Sequence, residues 1–105
     1  MAGIMPNGVL RDLIEIAAPL DGAPDHVVRQ NASMLRDKTE QRISIFLSDS
    51  KAARGNHSKR RDRLVQFLKN GLTTDAQMPG SRKVVFVCAL DLLIAEDATD
   101  ANQGA

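Results

Sequence analysis

The residues of this chain best equipped for chemistry are Lys59, Arg60, Arg61 and Arg63, a cationic cluster inside "NHSKRRDRLVQFLKNG" at 56–71. Grouped guanidinium and ammonium heads recognise phosphates or carboxylates, and arginine does so through a planar fork. The cluster can therefore grip DNA, meet an acidic protein surface or a sister subunit, or simply remain hydrated. Ser58 is a good N-cap, so the spacing predicts a helix opening there. Lys59 to Arg61 then fill its first turn, where the helix dipole opposes cations by about 0.3–1 kcal/mol each. A local rule broken without compensation marks a candidate binding site. On this helix Leu64, Val65, Phe67 and Leu68 are expected to face inward and the four cations outward.

A helix end, a turn at Gly55 and a basic helix start give "SDSKAARGNHSKRRDRLVQFL" the outline of a helix–turn–helix, whose second helix meets DNA with its N-terminal residues. Two details depart from it. Asn56 and Arg61 stand where that motif locks its helices together with apolar side chains, and the net charge of +1 is low for a compact DNA-binding domain.

Other reactive residues are scattered. His26 and His57 have no second ligand at helical spacing, and Arg29, Arg60 and Arg61 beside them would repel a metal ion. Cys88, inside Val87–Cys88–Ala89, reads as a small buried hydrophobe, not as a nucleophile. Asp91 interrupts an apolar run and is expected on that segment's one exposed stripe, since an unpaired buried carboxylate is costly. Asn31–Ala32–Ser33 matches a glycosylation acceptor by chance, in mid-helix. No phosphate loop, HExxH or Ser–His–Asp signature occurs. No catalysis, metal, cofactor or small-molecule substrate is expected.

The elements that must carry these residues are helical. With 105 residues the chain fits one domain. Hydrophobic residues make up 43%, with three Phe and no Tyr or Trp, so the core is aliphatic and base stacking is a poor fit. Residues 51–63 hold six Lys/Arg against Asp62 alone, a net of +5, while 1–50 and 64–105 are each −2. A single cysteine excludes an intrachain disulfide. The start has no basic-then-apolar pattern of a signal peptide, and the run 84–95 is too short to span a bilayer, so a cytoplasmic protein is expected.

Val9, Leu10, Leu13, Ile14, Ile16 and Ala17 predict a first helix stopped by Pro19, and "PLDGAP" a turn. Val28, Ala32, Leu35, Thr39, Ile43, Phe46 and Leu47 recur at threes and fours, predicting one long amphipathic helix from Pro24 to Ala53, closed by Arg54–Gly55–Asn56. The third helix should end at Asn70–Gly71. Ser81 should cap a fourth through "RKVVFVCALDLLIAEDA", apolar nearly all round and therefore central. "KVVFVC" alone favours a strand, but no other strand exists for it to pair with. Residues 97–105 read as a disordered acidic tail.

The fold class that follows is all-α: a small helical domain over 1–96 of about four helices, one long and amphipathic, with a buried C-terminal helix. The stripe Val28, Leu35, Ile43, Phe46 and Leu47 looks longer than its neighbours can cover, which implies a homodimer or partner interface. The expected function is that of a regulatory or adaptor protein working by protein–protein binding, sequestering a larger regulator. The alternative is a DNA-binding transcriptional regulator using residues 58–63.

Overall fold

The computed structural model describes residues 7–52 and 57–104. These residues form an all-α domain with helices α1 (Asn7–Ala17), α2 (Asp25–Gln30), α3 (Ala32–Ala52), α4 (His57–Thr74) and α5 (Gly80–Gly104). A 3-10 turn, Ala18–Leu20, follows α1 with Pro19 near its start. Gly22 then turns the chain at φ +80°, a backbone region open to glycine at little cost.

The core is one apolar cluster. Val9, Leu13 and Ala17 come from α1, Leu35, Ile43 and Phe46 from α3, Leu64 and Leu68 from α4, and Val85, Phe86, Ala89 and Leu93 from α5. Most of these positions recur at threes and fours, with buried Thr39 midway between Leu35 and Ile43, the spacing that keeps side chains on one side of a 3.6-residue turn. Polar ties fix the frame. Arg42 Nε donates to Asp12 Oδ2 at 2.6 Å, joining α3 to α1. Buried Ser81 donates its hydroxyl to the Ala17 carbonyl at 3.1 Å, seating the start of α5 on the end of α1.

The expected second helix is two helices. Asn31 interrupts it with φ −105° and ψ 6°, and its Nδ2 donates to the Val27 carbonyl at 2.8 Å. Asparagine side chains that bond nearby backbone compete with the helical ladder, which is why the break falls there. The interface stripe is also corrected: Val28, Leu35, Ile43 and Phe46 are buried in the chain's own core and Leu47 packs against it. The stripe is covered by α1, α4 and α5, which leaves only Leu47 partly exposed on it.

Helix α4 does not stop at Asn70–Gly71. A Cβ on Gly71 would lie 3.1 Å from Phe86 Cε2, so the glycine lets α5 approach, while α4 runs on to Thr74. Ser81 sits inside the first turn of α5 and is no cap; the Pro79 carbonyl accepts from Lys83 N at 3.0 Å. Helix α5 packs against α1, α2, α3 and α4, as expected of a central helix, but it is buried on one side and not all round. Val85, Phe86, Ala89 and Leu93 are buried, Val84 and Leu90 are half-buried, and Val87 and Ile94 are 45% and 49% exposed. It also continues to Gly104 through the expected disordered tail: an existing helix extends without a new nucleus, and 97–104 holds no proline. The expected turn at Arg54, Gly55 and Asn56, like Ala53 and Ala105, lies outside the described residues.

Candidate functional site

Helix α4 sorts the basic cluster into two sets. Lys59 and Arg63 are exposed and Arg60 is half-exposed, but Arg61 is only 6% exposed. The helical advance of about 100° per residue explains the sorting. Arg61, Leu64, Val65 and Leu68 follow one another at i, i+3, i+4 and i+7 and share the inner side. Phe67 lies one step before Leu68, about 100° round, and is 41% exposed. The expected outward Arg61 and inward Phe67 are thus reversed. Asp62 Oδ1 lies 3.9 Å from the Arg61 Nε. A buried guanidinium is tolerated only with partners, so Arg61 is a structural cation.

The outer side of α4 carries Lys59, Arg60 and Arg63, then Gln66, Asn70 and Thr74 along the same strip. Asp62 stands at the margin, and among the described residues no carboxylate pairs with Lys59, Arg60 or Arg63. Arg63, Gln66, Phe67 and Asn70 border a shallow depression of about 280 Å³. The strip offers cationic heads at one end and amide groups at the other, so it can contact phosphates and also read hydrogen-bond patterns.

A second concave surface runs between α3 and α5. Arg36, Glu40, Lys83, Val87, Cys88 and Asp91 are among the residues around a groove of about 500 Å³. Its continuation, about 330 Å³, is lined by Ile43, Ser44 and Leu47 from α3 and by Leu92, Ala95 and Glu96 from α5. Residue numbers rise together on the two walls, so α3 and α5 run in the same direction. Asp91 is on the exposed stripe of α5, as its sequence context predicts.

Cys88 is half-buried in this groove, where a fully buried residue is expected from its neighbours. Burial pushes its thiol pKa up; the Glu40 carboxylate adds to the rise, the Arg36 guanidinium opposes it, and Asp91 adds again. A thiol held protonated is a weak nucleophile. His26 is exposed at the start of α2, and His57 is half-buried at the start of α4. Among the described residues no three His, Cys, Asp or Glu side chains gather as a metal site. None of their helices is long and apolar enough to cross a membrane.

No family model, curated protein or solved structure matches the chain. Function must be argued from these surfaces alone.

Proposed function

We propose that this chain is a small cytoplasmic regulator that acts by binding and performs no catalysis, and that the outer strip of α4 contacts duplex DNA. The observation that carries the proposal is the strip of Lys59, Arg60, Arg63, Gln66 and Asn70 on the outer side of α4, with exposed Asp62 as the one acid at its margin. Phosphate contacts hold a protein in register, and base-edge contacts give it sequence preference. Lys59 and Arg60 suit the first role. Arg63 suits the O6 and N7 acceptors of guanine, and Gln66 and Asn70 match the N6 and N7 pattern of adenine. At 18 residues α4 spans about 27 Å, enough to lie along a major groove about 12 Å wide. The low net charge of +1 does not oppose this, because three of the cations, Lys59, Arg60 and Arg63, share the outer side of α4.

The competing partner is an acidic protein surface, and the observation favouring it is exposed Phe67 beside Arg63, since aromatic and arginine side chains anchor protein interfaces. Salt separates the two. Binding of a labelled random duplex, followed by fluorescence anisotropy, should weaken linearly in log Kd against log salt. Replacing Lys59 and Arg60 by Ala should weaken binding and reduce that slope by about 2, one for each lost phosphate contact. A wild-type chain that fails to bind the duplex even at low salt would end the DNA proposal.

A further inference from the structure

We propose that the groove between α3 and α5 is a two-fold interface, and that its occupant is a second copy of this chain. On the open side of α5, Lys83, Val87 and Asp91 follow one another at i, i+4 and i+8, and all three are exposed. Val87 therefore stands midway between a cation and an anion. The facing wall repeats the polarity, because Arg36 precedes Glu40 on α3 and the two helices run in the same direction. The groove thus has a cationic end at Arg36 and Lys83, an apolar middle at Val87 and Cys88, and an anionic end at Glu40 and Asp91.

A surface with unlike ends and an apolar middle is its own complement under a two-fold axis through that middle. With the axis at Val87, Lys83 of each copy meets Asp91 of the other, and the two Val87 side chains meet at the centre. The next positions also match. Ile94, seven residues after Val87 and 49% exposed, falls over Gly80, seven before it, which has no side chain to obstruct. Two α5 helices crossing near antiparallel at about 20° would keep both pairs in register. A foreign partner would need the reverse pattern of charge and size; a second copy carries it by symmetry. The inference is independent of the DNA proposal, since none of these residues lies on α4.

Sedimentation of the full chain tests it. Wild type should pass, as concentration rises, from 11.4 kDa to twice that mass. K83D and D91K each oppose like charges twice across the axis and should each weaken dimerisation about tenfold or more. An equimolar mixture of the two should dimerise again, because a copy with two acids then meets a copy with two bases. Cys88 lies beside the axis, so a short thiol–thiol crosslinker should join wild-type copies and the mixture, but neither variant alone. Unchanged helical circular dichroism confirms that each variant folds. A wild type that stays at 11.4 kDa up to about 1 mM overturns the proposal and leaves the groove to another partner. Single variants that dimerise like wild type, or a mixture that stays monomeric, overturn it as well.

Discussion

Helices α4 and α5 are built alike on the inside and differ on the outside. Each sends an i, i+4 stripe into the same core, through Leu64 and Leu68 on α4 and through Val85, Ala89 and Leu93 on α5. Outside, α4 shows cations and amides with Asp62 as its one marginal acid, while α5 alternates Lys83, Val87 and Asp91. The first pattern is attractive to any extended polyanion. The second gains little from a uniform charge and most from its own inverse. Neither difference is visible in the net charge of +1, because what decides a surface is which residues share a side.

The largest expected effect tests whether the two inner stripes are equivalent. Leu93→Ala and Leu68→Ala each remove a fully buried side chain and should cost about 2–5 kcal/mol in chemical denaturation. Val87→Ala, on the open side of α5, should stay within about 0.5 kcal/mol at concentrations where the chain is monomeric. Similar losses at Val87 and Leu93 would show α5 to be buried all round, and the two-sided description of it would fail.

A middle-sized effect separates the cations of α4. Arg61→Ala empties a buried position and strands its partners, so it should lower stability by about 1–3 kcal/mol. Arg60→Ala with Arg63→Ala should change stability by about 0.5 kcal/mol or less, with a small gain favoured because cations near a helix start oppose the dipole. Thermal melts of the two variants at one pH and salt concentration make the comparison. If the double variant is the less stable, the assignment of Arg61 as structural and of its neighbours as outward is reversed.

The all-α class was legible because the apolar spacing of 9–17 and 28–47 follows a helical period and no second strand competes for "KVVFVC". The bounds of α1 were legible for the same reason, helped by Pro19. What escaped depended on contacts between helices. Gly71 looks like a helix stop in the chain, but its role appears only with the Phe86 ring placed 3.1 Å from where a Cβ would be. The Asn31 break rests on a local side-chain bond that a mid-helix asparagine need not make. The stripe on α2 and α3 is legible residue by residue, but its cover is not, since that comes from α1, α4 and α5. At the candidate site, the basic cluster was legible by composition alone. Its phase was not, because an arginine at 61 and a phenylalanine at 67 invert the usual inside–outside preference. The α3–α5 groove left no signal, since its walls are about fifty residues apart in the chain.

The smallest effect concerns the thiol that lies in the α5 groove and has no counterpart on α4. Burial is the main cause of the raised Cys88 pKa, with Glu40 next, so the thiolate fraction at neutral pH is lower than for a free thiol. Alkylation by iodoacetamide in native protein should therefore be slow and should rise with pH to higher values than for a small-molecule thiol. Glu40→Gln removes a negative charge that disfavours the thiolate, and should speed the reaction at neutral pH. Arg36→Ala removes the opposing cation and should slow it. The rate under denaturing conditions, where the groove is gone, should be the same for all three chains. Because two of the charges that act on the thiol, those of Arg36 and Asp91, also form opposite ends of the groove, the paired response of Glu40→Gln and Arg36→Ala reports on that polarity directly. If both substitutions shift the rate in the same direction, the two ends of the groove do not carry opposite charge at Cys88, and the contrast with the single-signed strip on α4 is lost.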